Sequence, residues 1–255
     1  MDRLIYTALS GMRGSMAQQR VIANNMANAQ TIGFRAERVR FTPMVLAQAN
    51  GGPQLEARVL SDGAVEGADM RGGSLTTTGR ALDLALNDTA LLTVQAADGG
   101  EAYTRRGDLS VSATGVLQNG DGRPVMGSGG PITVPPGAVL SIRADGTLLA
   151  ADPATPDAAP AVLDRIKLAS AAGSPLAKAL DGLFRVRADG VLGGGVLPAD
   201  EAATVTSGAL EGSNVDTAGV LVEMIESQRL FDMRTKLVAT ARELDQGGAS
   251  LMRLG

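Results

Sequence analysis

The N-terminal stretch, residues 2–34, reads DRLIYTALSGMRGSMAQQRVIANNMANAQTIGF and decides the fold. Within it, one set of residues recurs at alternating steps of four and three, which places the set along one side of a helix. Its members are Ile5, Leu9, Met12, Met16, Gln19, Ala23 and Met26. The spacing predicts a helix over residues 2–29 with a seam for a partner, and Gly33 is expected to end the exit turn in a left-handed conformation.

A second series with the same spacing lies near the C-terminus. Its members are Leu221, Met224, Gln228, Phe231, Thr235 and Val238. Ser213 or Asn214 is the expected N-cap, and the helix should continue to about Asp245, where Gly247 and Gly248 should fray or end it. One seam at each end of the chain indicates that the termini pair with each other or join other subunits.

The residues from about 55 to 205 change to a period of two, which is typical of strands. Asp-Gly and Asn-Gly pairs separate short apolar runs there, and such pairs favour hairpin turns. A further short helix is predicted from Arg35 to Gln48, and residues 151–160 are predicted to form a Pro/Ala-rich surface loop.

The predicted fold class is therefore α+β. The N- and C-terminal helices pair as a coiled-coil-like domain, with a central mainly-β domain between them. The predicted divisions are a helical assembly domain at 1–30 plus 214–255, a connecting extended or hairpin region at 31–75 plus 199–213, and a central β domain at 76–198.

Composition narrows the possible functions. The chain has no Cys and no His, which removes disulfides, thiolate chemistry, Ser-His pairs and zinc sites built from those residues. The net charge of −4 gives no general attraction to nucleic acid. The Asp-Gly pairs lack the ligand spacing of calcium loops, so we expect neither a metal nor a cofactor. No apolar run approaches the roughly 20 residues of a membrane span, and the N-terminus lacks the pattern of a cleavable secretory signal.

The terminal helices are too weak to stand alone. Burying the seam of one helix contributes roughly 10 kcal/mol, at about 1.5–3 for each large residue. Ordering some 28 residues costs roughly 1–2 kcal/mol for each, and helical hydrogen bonds offset only part of that cost. We therefore predict that both ends are largely disordered in the monomer and fold when the subunit joins a polymer.

Several motifs resemble the bacterial flagellar rod and hook proteins. Residues 23–34, ANNMANAQTIGF, resemble the N-terminal signature of that family, with an Asn-rich helix end followed by Thr-x-Gly-Phe. Other segments that resemble the family are Thr78–Leu86, Tyr103–Leu109, Pro124–Gly127, Leu210–Asp216, Glu223–Ile225 and Gln228–Phe231. The opening residues 1–11 are similar to the proximal-rod members rather than to the distal-rod or hook proteins.

The resemblance implies a structural subunit of the basal-body proximal rod, not an enzyme. Such proteins are exported from the cytoplasm unfolded through the flagellar type III export apparatus, without a cleaved signal, and polymerise in the periplasm through their terminal helices. The product is a tubular drive shaft that transmits motor torque. The implied partners are further copies, other rod subunits and the export apparatus, with no nucleic acid and no membrane insertion.

The residues expected to carry assembly lie on the two seams and around the helix exit. They are Ile5, Leu9, Met12, Met16, Asn24, Asn25, Met26, Asn28, Gly33, Phe34, Asn214, Leu221, Met224, Gln228, Phe231 and Val238. Asn24, Asn25 and Asn28 are hypothesised to hydrogen-bond across subunits and set the register. Phe34 and Phe231 are candidate interface anchors, although packing within one subunit would suit them equally well.

Three alternatives stay open. Another axial rod or hook subunit of the same family would share all of these motifs. A secreted β-rich binding module with helical oligomerisation tails would form a small closed oligomer rather than a filament. A glycosidase with two carboxylates needs no His, but aromatic residues make up only 2% of the chain, which removes the usual platform for stacking sugars.

Overall fold

A computed structural model describes residues 2–43, 61–155, 158–171, 173–188 and 192–252. A helix stands at each end, α1 over Asp2–Ala27 and α2 over Thr217–Met252, and strands occupy the described residues between them. The α+β class is thus confirmed. The strands are β1 Glu37–Pro43, β2 Ser61–Ala68, β3 Leu75–Thr77, β4 Leu84–Leu86, β5 Ala90–Gln95, β6 Glu101–Thr104, β7 Leu109–Val111, β8 Leu117–Asn119, β9 Val139–Ile142, β10 Thr147–Ala151, β11 Ala161–Arg165, β12 Leu168–Ser170, β13 Leu176–Lys178, β14 Phe184–Val186, β15 Val205–Ser207 and β16 Ala209–Glu211.

The chain divides into two compact units. The helical unit comprises Met1–Ala27, Glu37–Glu66 and Asp216–Gly255, as far as these are described. The central unit comprises Asn28–Ala36 and the described residues of Gly67–Val215. The finer three-part division predicted from the sequence stays a prediction.

The α2 boundaries differ from the prediction at both ends. Asp216, rather than Ser213 or Asn214, caps the helix, because its Oδ1 accepts a hydrogen bond of 3.1 Å from the Ala218 N–H. At the other end the helix continues through residues 247–248 to Met252. Each Gly costs only about 1 kcal/mol relative to Ala, and the following Ala-Ser-Leu-Met segment contains good helix formers that sustain the last turns.

The helix predicted from Arg35 to Gln48 is wrong in its described part. That part is strand β1, which pairs with β2 in a two-stranded sheet, while residues 44–48 lie outside the described residues. Val39, Phe41 and Thr42 are β-branched or aromatic and favour extended structure. The backbone hydrogen bonds of β1 are made with β2. A prediction from local helix propensity does not include such a partner strand.

The central unit is built on a five-stranded antiparallel sheet of order β12-β5-β6-β14-β13, with a smaller sheet of order β11-β10-β9. Aliphatic side chains make up its larger core, among them Leu84, Leu92, Val94 and Leu117. A second cluster holds two of the chain's few aromatic residues, Tyr103 and Phe184.

Tyr103 contributes a polar anchor as well as packing. Its Oη accepts a hydrogen bond of 2.6 Å from the Leu197 N–H, and burial raises the pKa of the phenol. The hydroxyl therefore stays protonated near neutral pH.

The predicted loop at 151–160 is the connection between β10 and β11, although residues 156–157 lie outside the described residues.

Candidate functional site

α2 has two faces of different character. Val220 and Ser227 are buried on one side, where Met224, Phe231, Arg234 and Val238 are half-buried. At 3.6 residues per turn, the exposed apolar residues lie on the opposite side. They are Leu221, Val222, Ile225, Met233 and Leu237, interleaved with the charged Arg229 and Lys236. We call these five apolar residues the outward face of α2.

α1 shows the same division. Its buried residues are Ser10, Gly14, Ser15, Val21, Ile22 and Asn25. The predicted seam lies largely on the other side, because Leu9, Met16 and Ala23 are exposed while Met12, Gln19 and Met26 are half-buried. Leu9, Met16 and Ala23 form the outward face of α1. Ile5 belongs to α1, but its side chain lies outside the described residues.

α1 and α2 contact each other, and small and polar groups form part of that contact. Arg234 Nη1 donates hydrogen bonds to the Gly11 carbonyl and to Ser15 Oγ. A Cβ at Gly11 would lie 3.4 Å from Arg234 Nε, so a small residue suits this position. The contact therefore leaves the apolar residues of the outward faces uncovered in the single chain.

Asn25 fixes the start of β1 against the end of α1. Its Oδ1 accepts a hydrogen bond of 2.8 Å from the Glu37 N–H, and its Nδ2 donates one of 3.0 Å to the Glu37 carbonyl. The side chain is buried. Asn25 thus has an intramolecular role, and the hypothesis of register-setting hydrogen bonds between subunits now rests on Asn24 and Asn28.

Asn24 is exposed on α1, whereas Asn28 shapes the turn that follows the helix. The carbonyl of Asn28 accepts a hydrogen bond of 3.1 Å from the Thr31 N–H, and its Oδ1 accepts one of 3.1 Å from Thr31 Oγ1. These two bonds form a local turn in place of a further helical turn.

Gly33 and Phe34 are held inside the central unit. Gly33 has φ of +66°, as predicted, and its N–H donates to the Glu211 carbonyl at 2.8 Å. A Cβ at this position would lie 2.4 Å from the backbone of Arg105, so only Gly fits. Phe34 is buried beneath Lys178, whose Nζ lies 3.5 Å from the ring centroid. Phe34 thus packs within the subunit, which was one of the two readings left open.

Asn214 links three segments of the central unit. Its Oδ1 accepts a hydrogen bond of 2.7 Å from the Ala36 N–H. Its Nδ2 donates to the carbonyls of Asp69 and Arg71 at 2.7 and 2.9 Å. The residue expected to cap α2 therefore holds the two chain segments that lead to the helical unit.

A buried triad of Arg35, Glu211 and Arg105 lies next to these contacts. Glu211 Oε1 is 2.6 Å from Arg35 Nη2, and Glu211 Oε2 is 2.6 Å from Arg105 Nη2. All three side chains are at most 3% exposed. Gly73 adds a backbone N–H at 2.9 Å from Oε1. One buried carboxylate thus forms ion pairs with two buried guanidinium groups.

The two arginines differ in how fully they are bonded. Arg105 also donates to the carbonyls of Leu86, Asp88 and Ala90 at 2.7–2.8 Å. Among the described residues, Nε and Nη1 of Arg35 have no hydrogen-bond partner. Arg35 therefore depends on Glu211 more strongly than Arg105 does.

The pKa of Glu211 reflects a competition. Burial acts to raise it, but the hydrogen bonds and positive charge of Arg105, aided by the Gly73 N–H and Arg35, outweigh burial and lower the pKa. Burial in turn lowers the pKa of Arg105, against the opposing influence of Glu211. Glu211 is therefore ionised at neutral pH.

Half of the seam predicted on α2 lies on the side that faces α1, and the rest lies at its border. Met224, Phe231 and Val238 are half-buried, while Leu221 and Gln228 are exposed. The strongest apolar exposure lies elsewhere on α2, at residues that the spacing did not select. The triad was also missed, although Glu211 and Arg105 stand inside motifs that carried the family resemblance.

A cleft of about 680 Å³ lies in the central unit beside Glu101, Arg165, Lys167 and Asp200. Both carboxylate oxygens of Glu101 accept from Lys167 Nζ, at 2.7 and 2.9 Å. A carboxylate paired in this way is a poor general acid. In the part of the chain that the structure describes, no group of three or more Asp and Glu side chains is placed to hold a metal ion. None of its helices is long and apolar enough to cross a membrane.

Three family models match along the chain. Residues 5–35 match the flagella basal body rod protein model, residues 85–150 the flagellar hook protein FlgE/F/G D1 domain, and residues 206–251 the flagellar basal body rod FlgEFG protein C-terminal model. The first and third contain most of α1 and α2, and the third also contains Glu211.

Full-length relatives agree with these matches. The chain is 43% identical to the flagellar basal-body rod protein FlgF of Salmonella typhimurium over 246 residues, which cover 95% of both chains. It is 42% identical to FlgF of Escherichia coli, over 94% of both chains. It is 32% identical to the rod protein FlgG of Bacillus subtilis, over 99% of this chain and 100% of that one. The chain therefore belongs to the family of flagellar basal-body rod proteins and is FlgF-like.

Proposed function

We propose that this protein is a structural subunit of the flagellar proximal rod, and that the outward faces of α1 and α2 join it to further copies of the same chain. The observation that carries the proposal is the exposure of these apolar residues on the sides of both helices that face away from the α1–α2 contact. Apolar stripes left uncovered on both terminal helices mark a surface for protein partners.

The occupant is a second copy because each chain supplies both halves of the contact. The outward face of α2 carries the exposed Glu226 and Asp232 as well as Arg229 and Lys236 among its apolar residues. The exposed Arg13 and Arg20 of α1 lie beside its outward face and can meet those acidic groups. A copy of α1 can therefore cover apolar side chains of α2 and leave the charged groups at the rim. The contact joins α1 of one copy to α2 of the next and is therefore heterologous, and its repetition builds the helical filament of a rod when the rotation between copies does not close.

Three finer features belong to the same proposal. The helices complete a coiled-coil-like pairing between subunits through their outward faces, which share Leu9, Met16 and Ala23 with the seam predicted on α1 but only Leu221 with the seam predicted on α2. The assembled subunits form a periplasmic tube that transmits torque. The chain reaches that tube through the flagellar export apparatus without a cleaved signal. The family membership of the chain supports these features.

Substitution of Ile225 by Asp tests the proposal. Ile225 is 51% exposed, so the change should leave the fold intact but place a charge in the contact between subunits. Burial of an unpaired carboxylate is costly enough to abolish association. Sedimentation of the purified chain measures assembly, and urea unfolding of the central unit checks that the fold outside the contact is retained.

Val139→Asp is the matched control. Val139 is 60% exposed on β9 of the central unit, so the same chemical change is made at similar exposure away from the helices. We expect this variant to assemble normally. If both variants lose assembly equally, or if both assemble normally, the outward face of α2 does not join subunits.

A further inference from the structure

We propose that Met16 and Met233 are an oxidation-sensitive pair through which peroxide blocks assembly of the free subunit. The inference rests on the proposed function, because both residues lie on the outward faces. It adds a modification site and a chemical signal to that surface.

The first step is accessibility. Met16 is 47% exposed on α1 and Met233 is 56% exposed on α2. The other methionines whose side chains the structure describes are all half-buried, namely Met12, Met26, Met70, Met126 and Met224. The rate of oxidation of a thioether follows its exposure. Met16 and Met233 should therefore be oxidised at least about threefold faster than the half-buried methionines.

The second step is the absence of competing thiols. The chain contains no Cys, so no thiolate in the same subunit consumes peroxide first. Hydrogen peroxide transfers one oxygen atom to the methionine Sδ, the sulfur is oxidised to a sulfoxide, and the peroxide is reduced to water. A new S–O bond forms and the O–O bond breaks.

The third step is the effect on the surface. Met233 lies one turn before Leu237 on the outward face of α2, and Met16 lies seven residues after Leu9 on that of α1. A sulfoxide turns a flexible apolar side chain into a polar one. Its oxygen would lose water on assembly without gaining a partner, so the concentration needed for assembly should rise about tenfold or more.

The test compares peroxide-treated and untreated samples of each purified chain, so that every variant is its own reference. Three chains are used: the natural sequence, the double variant Met16→Leu with Met233→Leu, and the control double variant Met70→Leu with Met126→Leu. Leu keeps an apolar side chain of similar volume but lacks the sulfur. Peptide mass spectrometry locates the added oxygen, and sedimentation measures assembly.

We expect treatment to weaken assembly of the natural chain and of the control by about tenfold or more, and to leave the Met16/Met233 double variant at its own untreated level. Treatment with the two methionine sulfoxide reductases should restore assembly of the natural chain. Oxidised natural chain that assembles as before, or a Met16/Met233 double variant that still loses assembly, overturns the inference and leaves the proposed function standing. An untreated natural chain that does not self-associate overturns the proposed function itself.

Discussion

At the level of single residues, the Arg35–Glu211–Arg105 triad holds two positive charges and one negative charge out of water. Such an arrangement is stable only while its hydrogen bonds are complete, because each ion has given up its hydration. Glu211 also joins segments that are distant in sequence, since it lies 176 residues from Arg35 and 106 from Arg105. It therefore ties the N-terminal exit segment to the strand that leads toward α2.

Replacing Glu211 by Gln should be strongly destabilising. The change removes the counter-charge of two buried guanidinium groups, and breaking a buried ion pair on one side costs about 3–5 kcal/mol. Urea unfolding measures the loss, and Glu201→Gln is the control because Glu201 is exposed. The control should change stability by no more than about 0.5 kcal/mol. Equal stability of the two variants would mean that the triad does not hold the central unit together.

The lowered pKa of Glu211 also predicts how stability depends on pH. A carboxyl group whose pKa is lower in the folded than in the unfolded chain stabilises the fold at pH values above its pKa in the unfolded chain, which is about 4.3. This stabilisation is lost as the pH falls below the pKa of Glu211 in the unfolded chain and through its lower pKa in the folded chain. We expect the difference in urea midpoint between the natural chain and Glu211→Gln to be constant from pH 7 to about 5 and to shrink below that. A difference that stays constant down to pH 2 would contradict the assignment.

At the level of elements, the contact between α1 and α2 includes one long side chain, Arg234, bonded to two small residues. Arg234 reaches Gly11 and Ser15, and the close approach leaves room for little else. Because charge-assisted hydrogen bonds are stronger than neutral ones, this residue should contribute more than a typical surface arginine.

Arg234→Leu should therefore loosen α1 from α2. Loss of charge-assisted hydrogen bonds costs about 1.5–3 kcal/mol, and amides in the middle of α1 should exchange with solvent about tenfold faster or more. Hydrogen exchange of the assembled protein, in which the ends are expected to be ordered, is read by mass spectrometry and measures the change. Arg229→Leu is the control because Arg229 is exposed on the other side of α2. Unchanged exchange in Arg234→Leu would show that the contact is held by other groups.

The elements also show what sequence reasoning can reach. The helical periods and the Gly33 turn were predictable, because they are local patterns with local causes. β1 was missed because its strand character depends on β2, and residues 37–43 alone fit either state. On α1 the side that contacts α2 was misplaced, because Gly11 and Ser15 carry no hydrophobic signal and the apolar seam was the only periodicity visible; on α2 the predicted Met224, Phe231 and Val238 do lie on the buried side. The triad was invisible because its partners are brought together only by the tertiary fold.

At the level of the whole molecule, the helical unit combines long helices with outward faces that remain in water. Its helices therefore have less support in the single chain than strands in the core of the central unit, such as β5, whose described apolar residues are buried. Local stability follows the density of buried apolar contacts. The earlier expectation that the ends gain order on assembly follows from the same reasoning and stays a prediction.

Limited proteolysis of the free subunit tests that expectation. We expect both ends to be trimmed, leaving a resistant core near residues 31–213, because the outward faces have no cover and the buried triad and Asn214 hold the core. Mass spectrometry identifies the fragments, and the same digestion after assembly should leave the ends intact. The Ile225→Asp variant is the matched control, since its ends should be trimmed under both conditions. A full-length chain that resists cleavage before assembly would show that α1 and α2 are already stable in the monomer, and assembly would then join preformed helices instead of ordering them.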